Sequence, residues 1–417
     1  MNVYIHKTIL GFQQHLVVND SGEIHRVKEI PDDQLLVFGD PELPEIAKVY
    51  GLPLPTFPSQ PQLKAFQTVL KGAEDKDIPW HLAMPPGVFK KDVMGLAEVL
   101  HRTFGRINLD YYRDHYRKTL SIFNKMQPAK IDSRAWMFHK NNPDLLTPHV
   151  FNSFKPDSNW FAPKTVYSKS DAKTGRLKVI DGANILHLPK EQRNILTSRF
   201  GSEGKVMHLD FRALEPRVVL FVNQLLFPLS GNVPLLGYQA VGEDIYQDVL
   251  DALGITDIHR DKVKDVILSQ LYGAGYEKIL SGLVGIRDPE GFISAVNDFF
   301  GLDKIRERLF QEYEANNREF ILSFYGRRLD TREAKPYMLL NYFAQSTAVD
   351  VALYGFRNIL RAINANPLIV PLFILHDALV LDVHNSALSH LPGLLLAGSR
   401  NIPLFSNCQF ALKASRF

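Results

Sequence analysis

Cysteine is all but missing from this 417-residue chain, with Cys408 standing alone. One thiol excludes an internal disulfide and any cysteine-built zinc site, and it fits a reducing compartment. Long apolar runs are missing too. The most apolar stretch, Leu368 to Val383, is interrupted by His376 and Asp377, so no segment reads as a membrane span. The first residues lack the basic, apolar and small-residue succession of a secretory signal, which makes the cytoplasm the expected location. Neither sign of charge dominates. The 48 Lys and Arg face 45 Asp and Glu, for a net +3, so any nucleic-acid footprint must be local. No repeat or low-complexity segment is found. What remains is ordinary for a globular protein, 45% hydrophobic and 22% charged, at a length that suggests two or three domains or subdomains.

In chain order, residues 1–50 read as short strands: Val3 to Leu10, His15 to Val18, and Glu23 to Glu29 after an Asn19-Asp20-Ser21-Gly22 turn. Prolines 53, 55, 58 and 61 mark an extended connector. Helical patterns follow over Lys91–Phe104 and Leu109–Met126. The second interleaves Arg113, Arg117, Lys118 and Lys125 with Tyr111, Tyr112 and Tyr116, which suits either a grip on a nucleic-acid backbone or a solvated helix face. A basic, loop-like stretch from Lys155 to Lys178 contains Thr174-Gly175-Arg176-Leu177, and residues 226–257 mix loop and helix. Helix is expected over Asp257–Tyr272, stopped by Gly273 and Gly275, then over Pro289–Leu322 and Lys335–Ile363. Phe373 to His376 and Ala378 to Val383 read as a hairpin with Asp377 at its tip.

Three features can carry chemistry. The apolar run Val206 to Leu209 leads into Asp210, with Glu215 and Arg217 just beyond. A strand that delivers a carboxylate can present a metal ligand to a cleft, though an aspartate there also suits a turn or a helix cap. Asp377 tips its hairpin in the same way. Two such carboxylates, if they meet, can hold two Mg²⁺ ions that serve a 3′-hydroxyl and a set of phosphates. Between them in sequence, Arg260, Lys264, Leu268 and Tyr272 recur every four residues and so share one broad helix face. Two cations one turn apart can grip a triphosphate, or can simply be surface charges.

Thr174-Gly-Arg-Leu177, Leu209-Asp-Phe-x-x-Leu-Glu-x-Arg217, Arg260 and Lys264 ahead of Tyr272-Gly273, Gln345-Ser-Thr-Ala-x-Asp350, and His376-Asp377 follow one another in that order. Together they resemble family A DNA polymerases, the family of bacterial DNA polymerase I, over roughly residues 160–385. The resemblance implies an α+β right-hand polymerase fold, with an antiparallel palm sheet, helical fingers and thumb, and a small N-terminal α/β region. It divides the chain into a reduced or degenerate exonuclease-like region (1–105), a thumb-like helical region (106–155), the first part of the palm (156–225), the fingers (226–335) and the second part of the palm (336–417). The implied activity is template-directed addition of dNTPs to a primer 3′ end by two-metal-ion nucleotidyl transfer, in replication or repair.

Carried over residue by residue, Asp210, Asp377 and the backbone carbonyl of Phe211 are the expected ligands of two Mg²⁺ ions, with Mn²⁺ as a substitute. Arg260 and Lys264 take the triphosphate, Leu268 the sugar, and Glu215 with Tyr272 wall off the ribose 2′ position. Arg176, Asn341, Gln345 and His376 contact primer and template. Expected partners are primer-template DNA, dNTPs, and replication proteins or a separate exonuclease subunit, with no membrane. The compact form suggests a phage or mobile-element source, so that the cytoplasm is that of a bacterium or an infected host. Several positions depart from the family pattern: Leu268 replaces an aromatic residue, Ala378 a glutamate, Arg212-Ala213 a Ser-Gln pair, and Tyr246 a phosphate-contacting histidine. Asp40-Pro41-Glu42 is the single Asp-x-Glu of the first 100 residues and reads as a capped turn rather than a nuclease metal pair. A single-subunit RNA polymerase is a competing reading, opposed by the carboxylate of Glu215. A polymerase-shaped protein that only binds nucleic acid or a replication partner is another, opposed by the retention of both aspartates and both helix cations.

Overall fold

The alternating segments at the start of the chain pair into a sheet in the computed structural model, which describes every residue except 1, 11–12, 32–33, 35, 40–41, 70–77, 106, 143–147, 229–243 and 365. The chain divides into two compact units, Met1–Lys118 and Thr119–Phe417. In the first, β1 (Val3–Ile5), β2 (His15–Val18) and β3 (Ile24–Val27) run antiparallel, and β4 (Val37–Phe38) lies parallel to β1, in the order β3-β2-β1-β4. The strand expected over Val3–Leu10 stops at Ile5. His6 Nδ1 accepts the Thr8 N–H at 3.3 Å, and a helical turn over Lys7–Leu10 replaces the ladder.

Helix α1 (Pro86–Phe104) starts five residues before its expected N-terminus, with Pro86 at its first position, and buries Val93, Leu96, Leu100 and Phe104 along one face. The tyrosine-rich segment differs most from expectation. Its helix widens to a π-helical stretch over Tyr112–Tyr116, and Tyr111, Tyr112 and Tyr116 are all buried. These rings pack on one another, Tyr111 edge-on to Tyr112 at 5.2 Å, so they are core rather than a surface for nucleic acid. Asp40, Pro41 and the Glu42 side chain lie outside the described residues.

In the second unit, β5 (Val166–Ser168) and β6 (Lys178–Asp181) pair antiparallel. Its main sheet joins β7 (Gly204–Phe211), β8 (Ile369–Leu375), β9 (Ala378–His384) and β10 (Leu412–Arg416), antiparallel throughout, in the order β8-β9-β7-β10. Six of the seven residues of β9 are buried, as a central strand covered on both faces requires. Its one buried charge, Asp382, accepts the Ser198 hydroxyl at 2.5 Å and the Arg199 N–H at 2.7 Å, which offsets the cost of taking a carboxylate out of water. At the edge strand β8, the Tyr167 hydroxyl donates to the Ile374 carbonyl and accepts its N–H, both at 2.9 Å, in place of a further strand.

The helices of this unit include α2 (Leu214–Leu226), α3 (Ile245–Leu253), α4 (Arg260–Leu271), α5 (Tyr276–Ser281), α6 (Pro289–Phe300), α7 (Leu302–Ala315) and α8 (Leu339–Ile363). The helix expected over Pro289–Leu322 is two, split at Gly301 with φ of 62° and ended at Ala315, after which Phe320–Leu322 pairs with Arg328–Asp330. Helix α8 is buried on most sides. At Gly355 a Cβ would lie 2.5 Å from Phe211 Cζ and 2.7 Å from the Gly398 carbonyl, so only glycine lets α8 press against the end of β7. Lys169 and Asp350, both with fully buried side chains, form an ion pair that ties the segment after β5 to α8. No described helix is long and apolar enough to cross a membrane.

Candidate active site

Strand register decides the centre of the site. Asp210 on β7 pairs with Ala378 on β9, which places Asp377 in the adjacent turn, and the Phe211 N–H donates to the Asp377 carbonyl at 3.1 Å. The β8–β9 turn is made by His376 and Asp377, with His376 at φ 56°. Ala213, between β7 and α2, has φ 48° and swings Glu215 into the first turn of α2. Left-handed backbone at two residues that are not glycine costs of order 1–3 kcal/mol each and is kept where the surroundings require it, here on both sides of one cleft.

The two carboxylates disturb one another. Burial raises the pKa of Asp210, partly offset by Arg212. Asp377 is pushed up to about 7, first by burial and then by the negative charge of Asp210. Neither makes an ion pair with the described residues. Two half-buried carboxylates that repel each other suit a hard cation. Among the described residues no group of three or more His, Cys, Asp or Glu side chains forms a protein-only cage. Two carboxylates are oxygen donors of the kind a hard divalent cation accepts, its remaining ligands coming from water or phosphate.

Beside Asp377 opens a cleft of about 230 Å³, walled by Arg176, Glu215, Leu268, Tyr272, Gln345 and His376 among others. The Tyr272 hydroxyl donates to Glu215 Oε2 at 2.6 Å, and Arg176 Nη2 donates to Oε1 at 3.1 Å. Burial and the adjacent Glu215 push the Tyr272 phenol up to about 12, so it stays protonated and remains a donor. The ring of His376 keeps an exposed edge, and partial desolvation with Arg176, Arg193 and His187 nearby lowers its pKa. Gly175, at φ 74°, carries the turn into Arg176, and the Arg327 guanidinium fills the space where a Cβ would stand.

Helix α4 begins at Arg260, three residues after the expected start, because His259 caps it by accepting the Asp261 N–H at 3.3 Å. Val263, Val266, Ile267, Gln270 and Leu271 are buried, while Arg260, Lys264, Leu268 and Tyr272 lie on the less buried face, as their spacing predicts. Leu268 and Tyr272 reach the cleft wall. Arg260 and Lys264 do not. Arg260 is held by Asp244, and Lys264 is exposed without an ion pair among the described residues. Asn341, one turn before Gln345 on α8, also stands off the cleft, and its buried Oδ1 has no hydrogen-bond partner among the described residues. Asp350, the last residue of the Gln345 motif, points to Lys169 instead of the cleft. Sequence reasoning missed Asp244, and it missed Ala348, Val349 and Ala352, which continue the Gln345 wall. Their spacing of three, four and seven from Gln345 was the available signal.

No family model matches the chain. Over 193 residues it is 28% identical to a protein described as a DNA polymerase from Mycobacterium phage L5, a match that takes in 45% of this chain and 30% of the phage protein. Among solved structures it is similar to the POL domain of Pol1 from M. smegmatis in complex with a DNA primer-template and dNTP. That likeness has a TM-score of 0.56, covers 97% of this chain and 92% of the other, and comes with 14% sequence identity. The chain has the fold of a DNA polymerase POL domain. The α+β right-hand class expected from the motifs is therefore the class found.

Proposed function

We propose that this chain is a family A type, template-directed DNA polymerase that adds dNTPs to a primer 3′ end. The observation that carries the reading is convergence. Asp377, Glu215, Tyr272, Arg176 and Gln345 come from separate segments and wall one cleft, and Asp210 lies beside it through the β7–β9 register. The phage relative and the POL-domain fold support the same reading. In it, the segments 156–225 and 336–417 serve as palm, 226–335 as fingers and 106–155 as thumb.

Asp210, Asp377 and the Phe211 carbonyl would hold two Mg²⁺ ions, or Mn²⁺ in their place. Such ions, when bound, lower the pKa of a hydroxyl and neutralise charge on phosphates. Lys264 and Arg260 hold the triphosphate of the incoming nucleotide by charge-assisted hydrogen bonds. Leu268 packs against the sugar. Glu215, fixed between Tyr272 and Arg176, fills the space beneath the 2′ carbon, which favours deoxyribose over ribose and weighs against an RNA polymerase. Arg176, Asn341, Gln345 and His376 hold the primer end and template in the minor groove, where all base pairs offer similar acceptors. Primer extension with dNTPs and with rNTPs, on DNA and RNA templates, tests the proposal. The expected result is dNTP-dependent extension on DNA, and absence of extension on every template overturns it.

A further inference from the structure

Arg260, the cation assigned above to the triphosphate, is already occupied. Its Nε lies 2.6 Å from Asp244 Oδ2, its Nη2 donates to Asp244 Oδ1 at 3.1 Å, and its Nη1 donates to Asp261 Oδ1 at 2.7 Å. The guanidinium carbon sits over the Tyr246 ring, 5.0 Å from its centroid. Two carboxylates thus cancel the charge that a nucleotide would need. The hold is imperfect, because Nε is buried yet has no well-aligned acceptor among the described residues despite its short approach to Asp244. It is also open to exchange, with the Arg260 and Asp244 side chains 32% and 39% exposed.

Asp244 cannot follow Arg260 if that side chain moves. It is the N-cap of α3, where its Oδ1 accepts the Tyr246 N–H at 3.2 Å, so its position is set by the helix. Tyr246 joins the two places. Its ring lies under the guanidinium and also walls the cleft that Leu268 and Tyr272 line. One aromatic side chain thus lies both against Arg260 and along the cleft. Tyr246 also stands where the resemblance expects histidine. Its phenol is pushed up to about 12, chiefly by burial, and stays neutral, so no imidazolium helps the phosphates here.

We infer that Asp244 is a positioning residue that sets nucleotide affinity, by holding Arg260 at the rim and yielding it only to a ligand whose phosphates outcompete the Asp244 carboxylate. The inference rests on the polymerase reading given above. A triphosphate offers several oxygens to the same planar fork that Asp244 and Asp261 now share. Lys264, exposed and without an ion pair among the described residues, makes the first contact with any polyphosphate. Arg260 joins only when the ligand's charge suffices to displace Asp244.

The test is Asp244→Asn, which keeps a capping oxygen and removes the charge. Single-nucleotide incorporation should show a dNTP KM about two- to fivefold lower, the range expected for a partly exposed ion pair, with a smaller change in kcat. In an Arg260→Ala background the same substitution should leave KM where Arg260→Ala alone puts it. A merely structural role would move the thermal midpoint and leave KM unchanged. An unchanged or raised KM in Asp244→Asn, or an equal fall without Arg260, overturns the inference while primer extension by the wild type keeps the polymerase reading. A wild-type chain that extends no primer overturns both.

Discussion

The Tyr272 hydroxyl donates to Glu215 Oε2 at 2.6 Å, joining the C-terminal end of α4 to the first turn of α2 across the mouth of the cleft. Arg176 takes the other oxygen of the same carboxylate, so Glu215 is fixed from both sides. A ribose 2′-hydroxyl would have to displace one of these bonds and leave a polar group unpaired. Glu215→Ala should raise rNTP use more than tenfold, a loss of about 1.4 kcal/mol or more of discrimination. Single-nucleotide kcat/KM for dNTP and rNTP on one primer-template measures it, and an unchanged ratio removes the sugar gate.

Leu268 reaches the same cleft without the flat face of an aromatic ring. Leu268→Phe or Leu268→Tyr should change the relative use of dideoxynucleotides and dNTPs and leave rNTP rejection mostly intact. Competition between ddNTP and dNTP on a single template position reads this directly. A shift in the rNTP ratio as large as the ddNTP shift would mean that Leu268 and Glu215 act on one feature of the sugar.

Asp210→Asn and Asp377→Asn should each lower kcat by about a hundredfold or more, since metal-assisted charge stabilisation supplies several kcal/mol of such reactions. Folding and primer-template binding should persist. Near wild-type extension by either variant would refute the carboxylate assignment.

The same pair predicts a pH effect on stability without divalent ions. The folded pKa of Asp377, about 7, lies above its ordinary value of 3.8, so the folded state holds a proton that the unfolded chain has lost across that window. Stability therefore falls as pH rises through it, and this group's destabilising effect is complete above the folded value. Metal-free protein should melt at a lower temperature at about pH 8 than at about pH 5.5, with a smaller difference in Asp377→Asn. Mg²⁺ should raise the midpoint more at the higher pH, where the carboxylate is free of its proton. Equal midpoints for variant and wild type across the range would contradict the coupling.

Lys169 and Asp350 are fully buried partners. Lys169→Met removes the lysine charge that faces the buried Asp350 carboxylate and should cost about 3–5 kcal/mol in urea unfolding. Adding Asp350→Leu should recover much of the loss, because a pair of apolar side chains carries no desolvation penalty. A single variant as stable as wild type would show that the pair contributes nothing to holding α8.

Local patterns in the sequence determined a good deal. The spacing of Arg260, Lys264, Leu268 and Tyr272 placed them on one face of α4, because helical period alone fixes which residues of an element lie together. The apolar segments around His376-Asp377 specified the β8–β9 hairpin and its tip. Period does not say what another element brings to that face. Only long-range strand pairing set Asp377 beside Asp210, and only packing turned Tyr111, Tyr112 and Tyr116 inward and gave Asp350 to Lys169. Local pattern does not single out Asp244. Its grip on Arg260 exists because the start of α3 and the start of α4 come together in space, and charge acts through distance in space rather than position in the chain.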